Sequence, residues 1–237
     1  MKTIFWSFLM LFSTMLPSGY SAGHSPEEKK AAAESLQAFE PRNVSDTLFN
    51  FENYPVGQAP SGWTEAVTGK GKPCRWEIVN DQGNKVLAQL SSETPDYRFN
   101  LIVNNALRYK DVEITVRFKA VKGRGDQGGG PVWRYRDAGN YYVARANPLE
   151  NNFRLYKVVH GSRHMLKSAT LSIATGKWYT IKVIMRGNRI RCYLNGQLAL
   201  ETTDNTFSGA GKVGLWTKSD AVTWFDDFRV AVPVNNR

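Results

Sequence analysis

Strict two-residue alternation governs most of this 237-residue chain and limits its fold more tightly than any other feature. Between Asp111 and Ala120, the residues Val112, Ile114, Val116, Phe118 and Ala120 alternate with Glu113, Thr115, Arg117 and Lys119. Successive side chains of an extended strand point to opposite faces, so such a run packs one face on a core and turns the other to solvent. Trp178 to Arg186 repeats the pattern, with Tyr179, Ile181, Val183 and Met185 inward. Asn195-Gly196 lies between the runs Asn188 to Leu194 and Gln197 to Glu201. That dipeptide tolerates positive φ at both central positions and predicts a two-residue hairpin.

Further strands are expected over Thr47 to Phe51, Cys74 to Val79, Lys85 to Leu90, Phe99 to Val103, Val132 to Arg136, Asn140 to Ala146, Phe153 to Val159, Lys212 to Thr217 and Val222 to Val230. Short strands separated by Gly, Asn, Asp and Pro turns point to an all-β fold, an antiparallel two-sheet sandwich. Past the N-terminal arm no segment has a helical period long enough to cross between parallel strands, which excludes the α/β folds. The glycine-rich Gly123 to Gly130 lacks the Lys-Ser/Thr ending and following helix of a phosphate-binding loop, so nucleotide is not expected there.

The N-terminus has a different rhythm. Lys2, the apolar run Ile4 to Leu16, Pro17 and the small residues from Ser18 to Gly23 follow the order of a secretory signal peptide. The apolar run is shorter than the roughly 20 residues a membrane span needs. Residues 1–22 are therefore expected to be removed on export to the periplasm or the extracellular space, leaving no membrane span. Ser25, Pro26, Glu27 and Glu28 suit the cap and first turn of a short helix that ends before Pro41. That helix would belong to an arm over 23–46, ahead of one sandwich domain over 47–237.

Without Lys2 the formal charge falls from +10 to near +9. Such a balance favours acidic partners, but the Lys and Arg residues are scattered through the strands, so nucleic acid is not expected. Cys74 and Cys192 both sit where alternation points them inward. In an oxidising compartment the pair could bridge, or both could stay as small buried hydrophobes; sequence does not supply their separation. Two cysteines and three histidines show no zinc-like spacing.

The stretch Pro131 to Arg145, then Asn152-Phe-Arg-Leu-Tyr-Lys157, Gly161 and Arg163, resembles the laminin G-like, concanavalin A-like jelly rolls. So do Gly176-Lys-Trp-Tyr179, Tyr193-Leu-Asn-Gly196, Asp204, Gly211 to Lys218 and Phe225-Asp-Asp-Phe228. Within that group the chain is similar to exported bacterial domains of the 3-keto-disaccharide hydrolase type, relatives of the family-16 glycoside hydrolases, over about residues 47–231. The resemblance implies a jelly roll; for function it leaves lectins, adhesion modules and glycosidases open. Family-16 enzymes carry two glutamates around an aspartate on one strand, because retaining hydrolysis needs two carboxyl groups roughly 5 Å apart. No such run is present, since Glu113 precedes Ile-Thr-Val-Arg and Glu201 precedes Thr-Thr-Asp-Asn.

Sugar recognition wants an aromatic face for the ring's C–H side and planar donors or acceptors for its hydroxyls. Trp133 to Arg163 is the richest stretch of that kind. Strict alternation places Trp133 and Tyr135 on one face with the core, as it does Tyr142. It aligns Arg134, Arg145, Asn147, Asn152, Arg154 and Tyr156 as a polar ligand surface. Trp216 and Lys218 end a strand where Gly211 and Gly214 leave room for a ligand. Glu150 and His160 are the titratable groups near that face able to do acid–base chemistry. Glu52, Asp226 and Asp227 offer hard oxygen ligands suited to a structural calcium ion, though no cofactor is required. The leading expectation is a non-catalytic carbohydrate-binding module, the alternatives being a glycoside-cleaving enzyme of the 3-keto-disaccharide type and a protein-binding adhesion or scaffold module.

Overall fold

The computed structural model describes residues 46–92 and 97–232. The expected signal peptide and N-terminal helix lie outside the described residues. The described residues form fifteen strands and no helix. In chain order these are β1 (Asp46–Phe49), β2 (Trp63–Thr68), β3 (Trp76–Asp81), β4 (Asn84–Gln89), β5 (Phe99–Tyr109), β6 (Val112–Lys122), β7 (Gly129–Asp137) and β8 (Asn140–Asn147). There follow β9 (Asn152–Val159), β10 (Ser162–Thr170), β11 (Trp178–Arg186), β12 (Arg189–Leu194), β13 (Gln197–Thr203), β14 (Gly211–Lys218) and β15 (Val222–Ala231).

Two antiparallel sheets stack face to face. Sheet 1 runs β13-β12-β11-β6-β15-β4-β3, with β1 also paired to β15. Sheet 2 runs β10-β9-β8-β7-β14-β5-β2. Alternation fills the space between them as expected: Val112, Ile114, Val116 and Phe118 of β6, with Ile181, Val183 and Met185 of β11, meet Trp133, Tyr142, Phe153 and Leu155 of sheet 2 in one buried cluster. Each such side chain is worth about 1.5–3 kcal/mol of burial, which is what fixes the register of the two sheets.

Cys74 and Cys192 both join this core and both are free thiols. Burial and the Glu65 charge push Cys74 up to about 11, and burial raises Cys192 further still. Neither thiol is therefore ionised near neutrality.

Sheet 2 also carries a second apolar cluster on the face turned away from the core. It contains Phe99, Leu101 and Val103 of β5, Val132 and Tyr135 of β7, Tyr141 and Val143 of β8, Tyr156 and Val158 of β9, and Trp216 of β14. The structure corrects one pairing here. Trp133 packs in the central core while Tyr135 belongs to the outer cluster. The cause is Arg134, whose backbone is left-handed at φ 46° and which lies within an irregularity of the β7–β8 register. A bulge of this kind shifts the alternation by one residue and sends the next side chain to the opposite face.

The glycines of β14 correct a second expectation. A Cβ added at Gly211 would lie 2.3 Å from the carbonyl carbon of Arg134, and one at Gly214 would lie 2.2 Å from the carbonyl oxygen of Ile102. The missing side chains make room for neighbouring strands, not for a ligand.

Candidate functional site

The β8–β9 connection gathers five of the expected side chains into one constellation. Arg145 points outward from β8, and Asn152, Arg154 and Tyr156 point outward from β9, in register as Arg145↔Arg154 and Asn147↔Asn152. Glu150, in the connecting turn, closes the group. Its Oε2 accepts from Arg145 Nη2 at 2.9 Å, Arg154 Nη1 at 2.7 Å and Asn152 Nδ2 at 3.0 Å. Arg145 Nη1 donates to Asn152 Oδ1 at 2.5 Å, and both arginines reach Tyr156 Oη at 3.4 Å. Arg145 is 1% exposed, and its Nε has no hydrogen-bond partner. Solvent reaches the group at its rim, where the side chains of Glu150 and Arg154 are 36% and 32% exposed.

The electrostatics of Glu150 follow from these contacts. Burial alone would raise its pKa, but the Asn152 hydrogen bond and the charges of Arg145 and Arg154 outweigh that and hold the carboxyl at about 2. A carboxylate so held is a hydrogen-bond acceptor at neutral pH, not a proton donor. Of the acid–base chemistry expected at Glu150, the proton-donating half does not fit such a carboxylate. His160 occupies the β9–β10 turn at φ 49°, its backbone N–H donating to Asn140 Oδ1 at 3.1 Å. The eight residues of β9 separate it from the Glu150 turn, about 26 Å at the rise of an extended strand. The two lie at opposite ends of β9.

Next to the constellation stands a second polar group built from the glycine-rich loop. Asp220 accepts hydrogen bonds from the backbone N–H groups of Arg124, Gly125 and Asp126 at 2.7–3.2 Å, which fixes the loop. Asp126 is thereby buried, receiving Asn147 Nδ2 at 3.1 Å and Lys218 Nζ at 2.9 Å. Asn147 Oδ1 also caps the N–H of Leu149 at 3.0 Å, so this side chain organises the turn that carries Glu150. Across the apolar cluster, the Arg163 guanidinium carbon lies 4.4 Å from the Tyr156 ring centre and 4.9 Å from that of Phe99. Trp216 sits 5.1 Å from Phe99, fully buried within the same cluster.

Other expected residues lie elsewhere. Arg134 leaves the polar face altogether. It is 1% exposed, with Nε donating to the Lys110 carbonyl at 2.8 Å, Nη2 to Gly187 O at 2.6 Å and Nη1 to Phe207 O. The bulge turns it towards the far end of the sandwich, where it ties three main-chain segments together. Glu52 Oε1 accepts from the backbone of Lys85 at 2.9 Å. Asp226 accepts from Asn84 at 2.9 Å and lies 3.4 Å from Arg117, which also approaches Asp227 at 3.5 Å. Among the described residues no group of three or more His, Cys, Asp or Glu side chains is placed to hold a metal ion.

The family described as 3-keto-alpha-glucoside-1,2-lyase-like domain matches residues 45–231. This chain belongs to that family. No curated protein matches it. Among solved structures, carbohydrate binding module CBM66 from Bacillus subtilis is 22% identical, with 71% of this chain and 94% of that chain covered and a TM-score of 0.58. A protein of unknown function from Shewanella oneidensis MR-1 is 16% identical over 92% of this chain and 98% of its own, at a TM-score of 0.53. A galectin-like protein of unknown function from Bacillus subtilis is 15% identical over 73% and 90%, at 0.52. At these identities the likeness is one of fold, a jelly-roll sandwich.

Two residues that support the constellation carry no mark in the sequence, Asp126 and Arg163. Asp126 looks like one polar residue in a flexible loop, because its partners Asn147, Lys218 and Asp220 are far away along the chain. Arg163 belongs to a strand without apolar alternation, so no periodicity marks which way it faces.

Proposed function

We propose that this domain binds carbohydrate at the Arg145–Glu150–Arg154–Tyr156 constellation. The observation that carries the reading is a carboxylate clamped between two guanidinium groups at a half-open rim, with the buried Arg145 Nε left unpaired behind it. Sugar hydroxyls both donate and accept, so they can enter such a network by taking over bonds to Glu150 and Arg154, while the buried Tyr156 backs both arginines through its hydroxyl. Membership of a family named for a glucoside activity supports a sugar ligand. Affinity electrophoresis against a panel of neutral and acidic glycans tests the proposal. Retardation of the parent and a loss of about tenfold or more for Arg154→Ala and Glu150→Ala are expected, equivalent to about 1.4 kcal/mol. Retardation by no glycan, or equal retardation of the variants, rejects it.

The family name favours a second reading, in which the domain cleaves a 3-keto-glycoside. A ketone at C3 acidifies the hydrogen at C2, and its removal by a base expels the oxygen at C1. Glu150 is a poor base while Arg145, Arg154 and Asn152 hold it, so catalysis would require the substrate to displace those donors. Incubation with a 3-keto-disaccharide decides this reading: release of the leaving sugar that is lost in Glu150→Gln supports it, and binding without release leaves the non-catalytic module.

Export is part of the proposal and rests on the Lys2-to-Gly23 signal pattern. N-terminal sequencing of protein recovered outside the cytoplasm should begin near residue 23; a mature chain that keeps Met1 would count against it.

A further inference from the structure

The outer face of sheet 1 carries a feature that the sugar-binding reading does not use. At the β11–β12 hairpin Arg186 lies directly opposite Arg189, and Ile184 opposite Arg191. Met185 and Ile190 between them are buried, so the three arginines share the outward face. Like charges placed directly opposite one another across a strand pair repel. Among the described residues a single carboxylate serves the group. Glu201, opposite Arg191 on β13, accepts from the Nε atoms of both Arg189 and Arg191, the latter at 3.0 Å. The neighbouring acids are engaged elsewhere: Glu113 pairs with Lys182 at 2.5 Å, and Asp111 accepts from Gly187 N at 2.8 Å and lies 3.5 Å from Arg134. Among the described residues Arg186 has no carboxylate partner. A hollow of about 370 Å³ opens here, lined among the described residues by Ile184, Arg186, Arg189 and Arg191.

We propose that this hollow binds an oxyanion carried on an acidic glycan, a sulfate ester or a carboxylate. Planar guanidinium forks match the paired oxygens of such groups, and an entering anion relieves the Arg186–Arg189 repulsion that one shared carboxylate leaves. The formal charge of +10 favours the approach of a polyanion from a distance. This site stands on the opposite sheet from the Glu150 constellation and is independent of it.

Affinity electrophoresis of the full chain tests it in gels containing dextran sulfate, polygalacturonate or unmodified dextran at about 0.15 M salt, where long-range attraction is screened. Retardation by one or both polyanions and a loss of about tenfold in R186Q/R189Q are expected, with K70Q/K177Q behaving as the parent. Which polyanion retards the chain separates sulfate ester from carboxylate. The single variant R186Q breaks no ion pair and should already weaken retardation, which guards against a folding defect in the double variant. Retardation by neither polyanion overturns the proposal. So does an equal loss in K70Q/K177Q, which removes the same two charges elsewhere on the chain.

Discussion

Two buried arginines on adjacent strands of sheet 2 behave in opposite ways. Arg134 and Arg145 are each 1% exposed, yet Arg134 is satisfied by the main-chain carbonyls of Lys110, Gly187 and Phe207, whereas Arg145 is held by the side chains of Glu150, Asn152 and Tyr156. Carbonyls fixed in folded backbone cannot rearrange without moving the chain. Side chains at a half-open rim can. The end of the sandwich around Arg134 is further bolted by Tyr142, whose hydroxyl donates to Asp204 at 2.6 Å and accepts from Phe207 N at 3.2 Å. Satisfaction by backbone thus marks a structural fastening, and satisfaction by side chains, with one nitrogen left over, marks a place where a ligand can enter.

Substitutions should separate the two ends. The largest effect is expected for Arg134→Met, which removes the charged donor of three main-chain carbonyls, those of Lys110 and Gly187 half-buried and that of Phe207 buried; a loss of about 3–5 kcal/mol in denaturant unfolding would follow, with glycan affinity unchanged in the protein that remains folded. A loss below about 1 kcal/mol would erase the contrast. Arg145→Met should destabilise less, by about 1–3 kcal/mol, since Glu150 keeps Arg154 and partial solvent, but it should abolish glycan retardation. Acid unfolding sharpens the picture through Glu150. Because its folded pKa lies below the ordinary carboxylate range, its contribution is complete above that range and disappears as pH falls towards about 2. Glu150→Gln should therefore narrow its stability gap to the parent across that interval and leave the difference constant near neutrality. The smallest effect belongs to Arg154→Ala. A partly exposed ion pair contributes about 0–1 kcal/mol, so melting should barely move while binding falls. A large stability loss there would show that the rim is structural after all.

The sandwich was legible wherever one face met the core. β6 and β11 could be read from alternation alone, and so could the β12–β13 hairpin from Asn195-Gly196. β2 and β10 were not, and both are edges of sheet 2. An edge strand packs fewer neighbours, so Ser162 to Thr170 needs no apolar rhythm and is mostly solvated. Face alignment likewise brought out Arg145, Asn152, Arg154 and Tyr156, because β8 and β9 are joined by a short turn and stay in register. It failed at Arg134, where one left-handed residue reversed the faces, and alternation contains no signal for a bulge. Asp126 was hidden for a different reason: its burial depends on Asp220 and Lys218, which only long-range pairing of the strands brings near.

The unpatterned edge also bears on how the protein behaves when concentrated. Among the described residues β10 is the outermost strand at its end of sheet 2. A sheet edge is the usual template for adding another chain and growing a fibril, although Tyr97 Oη already accepts from the Arg163 N–H there. Its register slips between Met165 and Lys167, and Arg163, His164 and Lys167 line it with polar and cationic side chains. A kinked, charged border is a poor docking strip for a second flat strand. The sandwich can therefore accumulate at high local density without polymerising through that side.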